Sequence, residues 1–279
     1  MFPDAKSLCN DQNCLFLQSM NAGDKRVVII GAGNVGTHLA KLFSNQGAAV
    51  TLACRNMASV PDLQKASCNV VSLEDMPAEA DLFLLTLKDT VIPEVAATLP
   101  ELHGVVAHTS GSIGLEPLSR FEQRGVFYPF QSFRKEIPLS VSRFPMLIEA
   151  SDAATEALLK EMAALIASDV FELPASERAI VHTAGVFVSN FTNLMYSAGW
   201  QLADQKFDAE KMLLPLILET AIRLKFRCPS DVQTGPAIRD DRETILKHLE
   251  ILQQEPALYD MYKSLTNVLL KKYGHEELP

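Results

Sequence analysis

Six residues, Gly31-Ala32-Gly33-Asn34-Val35-Gly36, have the spacing G-x-G-x-x-G, which suits the phosphates of a dinucleotide. Each glycine has a separate job there. Gly31 permits a tight turn, Gly33 lets a pyrophosphate approach the backbone, and Gly36 lets the next helix pack close to the preceding strand. The N–H groups at the helix start then face the negative charge. Glycines alone would also fit a structural turn, so the flanks matter. Before them stands Val27-Val28-Ile29-Ile30, a β-branched run suited to a strand buried on both faces. After them Val35, Leu39, Leu42 and Phe43 share one helical face, ending near Gln46-Gly47.

The second strand, 49–54, ends in Cys54-Arg55-Asn56. A site for NAD usually carries an acid about 20 residues past the first glycine, and none stands here. Arg55 suits a forked contact to a 2′-phosphate, with Asn56 adding a neutral hydrogen bond; a solvated surface arginine is the other reading. The expected cofactor is therefore NADP(H). A fourth strand over 81–87 runs to Leu87 and Lys88, also expected at the cofactor site. Asp89 is either the N-cap of the helix beginning near Val91 or a ligand-facing group at the strand's carboxyl end. A fifth strand, 104–108, leads into Thr109-Ser110-Gly111-Ser112. Turn chemistry explains that stretch, but its position also makes Ser110 a candidate contact to substrate or nicotinamide.

These residues need a frame. A short helix is expected over 60–66, a third strand over 69–71, a sixth over 125–129, and a last over 144–148. Strands alternating with helices predict an α/β fold, a doubly wound Rossmann-type sheet over 25–150. A flexible tail, 1–24, precedes it, and an all-helical domain, 151–279, follows. That domain should hold helices over 152–168, 176–205, 209–226, 242–253 and 256–272, with a short extended piece at 170–173. The helix over 176–205 is apolar around most of its circumference, which one small domain rarely covers. A homodimer built through this domain is the simplest source of cover.

Composition narrows the partners. The chain has 279 residues, 48% of them hydrophobic, with a mean hydropathy of +0.09, enough for a sizeable core. A net charge of −9 and a pI near 5.2 argue against nucleic acid or an anionic membrane as the main partner. No apolar run approaches a membrane span. The 5 cysteines include no C-x-x-C pair, and no Cys or His cluster suggests a metal. Residues 1–24 lack a basic n-region and a long apolar core, so reduced thiols in a cytoplasm are expected.

Several stretches together resemble a known family. They are GAGNVG, His108-Thr109-Ser110-Gly111-Ser112, Tyr128-Pro129-Phe130-Gln131-Ser132-Phe133, the segment from His182 to Phe191, and TGPAIRDD from Thr234 to Asp241. The chain resembles bacterial proteins that join a Rossmann-like NADP-binding domain to a C-terminal helical domain of unassigned function and are grouped with NADP-dependent oxidoreductases. The similarity covers about 25–262. Two positions depart from it: the family often has His-Pro where this chain has Tyr128-Pro129, and Arg-Gly-Asp where it has Arg239-Asp240-Asp241. Asp tolerates positive φ less well than Gly.

The layout is more distantly similar to pyrroline-5-carboxylate reductases and β-hydroxyacid dehydrogenases. The latter often place a Lys one helical turn before an Asn. Here Asn190 is present, but Val186 stands one turn earlier, and His182 one turn before that. On an unbroken α-helix, His182 and Asn190 would share roughly one face. Imidazole can exchange a proton near neutral pH, as reduction of a carbonyl or imine requires, and Asn190 could orient the reacting atom. Each could equally be a hydrogen-bonded core residue. Arg239 could bind a substrate carboxylate with Asp241 anchoring it, or Asp241 could cap a helix and pair with Arg239. His248 is expected to be structural or exposed. The resemblance implies an oxidoreductase that transfers hydride between NADP(H) and a small polar substrate: a carbonyl, hydroxy acid or imine. The alternative is a non-catalytic NADP(H)-binding sensor or interaction module.

Overall fold

The computed structural model describes residues 22–60, 67–141, 143–204 and 206–279. The expected 1–24 tail and 60–66 helix fall almost wholly outside them. Two compact units divide the chain, the first running to Ser189 and the second spanning Asn190–Pro279.

The first unit is built on a sheet of 8 strands in the order β3-β2-β1-β4-β5-β6-β7-β8. In chain order its elements are β1 (Arg26–Ile30), α1 (Asn34–Asn45), β2 (Ala49–Ala53), β3 (Asn69–Val71), β4 (Glu79–Leu85), α2 (Ile92–Thr98), β5 (His103–His108), β6 (Arg124–Pro129), β7 (Phe144–Ala150), α3 (Ala153–Ile166), β8 (Ala167–Glu172) and α4 (Ala175–Gly185). All pairings are parallel except β6 with β7. Alternation along β1 explains why its run is wholly apolar. Val27 and Ile29 pack with Leu39 and Phe43 of α1, while Val28 and Ile30 pack with Ile92 and Ala96 of α2. The strand order reverses between β1 and β4, which opens a crevice at their carboxyl ends.

The sheet does not end near Glu149. β8 pairs with β7, and α3 covers them with Leu159, Met162 and Ile166. Asp152 starts α3 by accepting from Ala154 N and Thr155 N at 3.0 and 2.9 Å. Bonds from Thr155 hold its carboxyl well below the usual range, at about 2. The first unit therefore continues through α4, which carries His182.

The helix expected over 176–205 is interrupted. After α4 the chain makes a π-helical turn, Val186–Phe191, before α5 (Thr192–Ala203). From Ala175 to Ala203 only Arg178 is buried. The second unit continues with α6 (Ala209–Arg223), α7 (Arg242–Ile251) and α8 (Pro256–Lys272). Ile245, Leu249 and Leu270 form its small core, and His248 Nδ1 bonds Tyr262 Oη at 2.8 Å to tie α7 to α8. Much apolar surface stays uncovered, with Val188 72%, Phe226 70% and Leu216 63% exposed. No helix among the described residues is long and apolar enough to cross a membrane.

Candidate functional site

The crevice contains a cleft of about 480 Å³, lined by the turn from Gly31 to Gly33, by Arg55 and Asn56 beyond β2, and by Leu87 and Lys88 beyond β4. Gly31 has φ +117°, a conformation L side chains rarely adopt. A Cβ on Gly36 would collide with the Gly31 carbonyl and lie 2.5 Å from Thr86 Oγ1. The close approach of α1 to β1 and β4 therefore depends on that glycine. Gly33 differs, because a Cβ there would meet nothing within 4 Å. The space over Gly33 is open toward the cleft, at the positive end of α1, where a phosphate fits.

Not every residue of the motif faces the cleft. Asn34 Oδ1 accepts from Lys135 N at 3.1 Å, which ties the chain after β6 to the start of α1. Val35 packs against the core on one face of the sheet. Asn56 accepts from Ala58 N at 3.1 Å and so caps the turn Met57–Ser59. Arg55 is exposed at the tip of β2, where no acid stands.

A second group lies at the same end of the sheet, beyond β5 and β6. His108 is fully buried. Its Nε2 bonds Gly114 O at 2.8 Å, and its Nδ1 accepts from Ser110 N at 3.2 Å. That pair of partners fixes a neutral ring protonated on Nε2. Burial also pushes its pKa below the ordinary histidine range. Ser110 Oγ accepts from Ser112 N and Ile113 N at 3.1 and 3.3 Å. Its hydroxyl thus closes the turn, and Ser110 is only 3% exposed. Ser112 Oγ in turn donates to the carboxylate of Asp89.

Tyr128, at the end of β6, meets His182 here. Tyr128 Oη and His182 Nδ1 are 2.8 Å apart, with the rings edge to face. Gly111 lies against both, since a Cβ there would come within 2.8 Å of His182 Nδ1 and of the Tyr128 ring. Burial and the Asp89 charge push the Tyr128 pKa up, so the phenol keeps its proton at neutral pH. One turn before His182, Arg178 is wholly buried. It donates to Glu149 Oε2 at 2.6 Å, to Leu173 O at 3.0 Å and to Ile113 O at 2.5 Å. These bonds hold α4 against the turn after β5.

Several expectations change. Asp89 is no N-cap: α2 begins at Ile92 with Val91 in the cap position and no side-chain cap bond. Counting 3.6-residue turns puts His182 and Asn190 on one face, and the π-turn that carries Asn190 breaks that count. Asn190 is exposed and opens the second unit. Arg239 is exposed in that unit too, while Asp241 caps α7 by accepting from Thr244 N and Oγ1 at 3.1 and 2.8 Å. Asp240, where the resembled family has Gly, adopts φ 54°. Tyr128 is the site residue that sequence reasoning passed over. Its signal was the Tyr128-Pro129 pair closing a strand at the carboxyl edge.

Comparison with known proteins bears on the fold and the family. Residues 12–130 match a Rossmann-like domain, and residues 144–268 match a domain of unknown function, DUF2520. A crystal structure from Bacteroides fragilis, named a "putative NADP oxidoreductase", is 33% identical, covers 89% of this chain and 98% of its own, and superposes with a TM-score of 0.82. The chain belongs to this family, in which a Rossmann-like domain is joined to DUF2520. The likeness to solved structures of lower identity concerns the fold alone. An imine reductase from Myxococcus stipitatus, solved with NADP+, is 15% identical with a TM-score of 0.58, covering 90% of this chain and 96% of its own. A glycerol-3-phosphate dehydrogenase [NAD(P)+] from Pectobacterium carotovorum is 36% identical over 110 residues, which is 39% of this chain. The match spans about a third, 32%, of that relative's length.

Proposed function

We propose that the chain is an NADP(H)-dependent oxidoreductase that reduces or forms a carbonyl, hydroxyl or imine group on a small polar substrate. One juxtaposition carries the reading. The cleft, with its open Gly33 face and its acid-free Arg55 tip, lies at the same sheet end as the Tyr128–His182 pair. The dehydrogenase and oxidoreductase names of the relatives agree with it.

Bound NADPH would supply the hydride. The chain's own residues do the rest. Gly31 to Gly33 and the start of α1 receive the diphosphate through backbone N–H groups, and Arg55 takes the 2′-phosphate. Tyr128 Oη gives its proton to the reacting oxygen or nitrogen, and His182 Nδ1 restores it. Burial keeps the phenol protonated until the acceptor becomes basic. Arg178 holds His182 in place without touching substrate.

We also propose a homodimer through the helical part, supported by the exposed apolar side chains at Val188, Leu216 and Phe226. Light scattering at micromolar concentration should give twice the chain mass; a stable monomer contradicts it. The function itself is tested by titrating NADPH and NADH, then following nicotinamide absorbance with a panel of keto acids, aldehydes and cyclic imines. Tight NADPH binding with no turnover across the panel would favour the sensor reading.

A further inference from the structure

The group at the carboxyl ends of β4, β5 and β6 has an uneven charge balance. Arg178 is the buried cation there, and Glu149 neutralises it at 2.6 Å. His108 is held neutral by its two hydrogen-bond partners. Tyr128 and His182 bond one another. Asp89 remains. Its side chain is exposed, and among the described residues it has no ionic partner. Its hydrogen-bond partner is the hydroxyl of Ser112, in the turn whose Gly111 lies against both Tyr128 and His182. The nearest cation in sequence, Lys88, lines the dinucleotide cleft. An uncompensated carboxylate therefore stands close enough to the proposed proton donor for its charge to act on the phenol. An anionic substrate would be repelled there, and a neutral one would gain little. A protonated nitrogen would donate a charge-assisted hydrogen bond to the second oxygen of the carboxylate.

We propose that Asp89 selects a substrate whose reacting group is a cationic nitrogen, an iminium in the reducing direction and an ammonium in the oxidising one. This rests on the oxidoreductase assignment above and narrows its substrate class. The oxygen that accepts from Ser112 fixes the carboxylate's orientation, and the other oxygen is left to accept from the ligand. Reduction is balanced without a further reagent. The iminium carbon gains a hydride from the nicotinamide, and the nitrogen keeps its proton as the C=N π bond becomes its lone pair. The Tyr128–His182 pair then protonates the neutral amine. Oxidation runs the same steps backwards.

The test uses three probes on one ring: cyclopentylammonium, cyclopentanol and cyclopentanecarboxylate. Each is titrated by NMR into the full-length protein, alone and with NADP+, for the natural chain and for Asp89→Asn. The amide of Asn still accepts from Ser112, so the turn survives and only the charge is removed. The natural chain should bind cyclopentylammonium at least tenfold more tightly than the alcohol, with the carboxylate weakest. Asp89→Asn should close that gap while NADPH affinity stays unchanged. Equal affinities for the ammonium and the alcohol overturn the proposal, as does a gap that persists in Asp89→Asn. Failure of NADPH to bind would sink the oxidoreductase reading instead, and the ammonium preference is still judged in the protein alone.

Discussion

Replacing Gly33 with Ala should separate binding from stability, because the two glycines flanking Val35 and Asn34 do different work. Gly33 has φ −83° and ψ −166°, extended backbone that any residue adopts, and its Cβ position is open. Reduced freedom of the unfolded chain favours Ala by about 0.4–1 kcal/mol. Gly33 is also the N-cap of α1, where Ala is worse than Gly by a similar amount. The two effects offset, so the melting temperature should stay within about 2 °C. Affinity should not. The added methyl occupies the side from which a phosphate reaches the backbone, and one lost charge-assisted hydrogen bond costs about 1.5–3 kcal/mol. NADPH should bind tenfold more weakly or worse. Gly36→Ala is the control. Its Cβ would strike the Gly31 carbonyl, backbone that cannot move without breaking the turn. Overpacking of that kind costs about 1–3 kcal/mol, a fall of roughly 2–12 °C. Thermal unfolding and fluorescence titration of NADPH read both variants. Unchanged NADPH affinity in Gly33→Ala would show that the open face is not where phosphates lie. A Gly33→Ala melt as low as that of Gly36→Ala would refute the packing argument.

Arg55→Ala should weaken NADPH about tenfold and leave NADH nearly unchanged; equal affinities for both cofactors in the natural chain would contradict the 2′-phosphate contact. His182→Gln and Tyr128→Phe should each cut turnover about 100-fold with cofactor affinity nearly constant, and full activity in Tyr128→Phe would remove the phenol from the proton path. Burial sets His108 below its ordinary pKa of 6.5, so below that pH the unfolded chain binds a proton that the folded chain refuses. Its contribution is full above pH 6.5 and is lost as pH falls, so the urea midpoint should drop between pH 7 and 5, and drop less in His108→Gln. The Asp152 carboxyl, at about 2, does not titrate in that window. A flat midpoint would remove His108 as the cause.

Local pattern decided the Rossmann-type half of the chain. A strand buried on both faces must be continuously apolar, and Val27 to Ile30 can be little else. A turn that passes a chain from strand to close-packed helix needs glycine, and Gly31 and Gly36 have the strain and the contact that require it. The helical spans of the second unit were equally legible from their period, except where backbone geometry departs from 3.6 residues per turn. Nothing in Val186–Phe191 marks a π-turn, because its residues suit an α-helix just as well, and so the His182–Asn190 alignment was invisible as an error. β8 was legible only in part, as the extended piece expected at 170–173. Ala167–Glu172 is short and half polar, and it becomes a strand only because β7 offers an edge to pair with. The site itself belongs to tertiary structure. Tyr128 and His182 stand 54 residues apart, and Asp89 and Ser112 stand 23 apart. No local period links such pairs. They meet because parallel strands deliver their carboxyl ends to one edge, and because the buried Arg178 draws α4 onto the turn after β5.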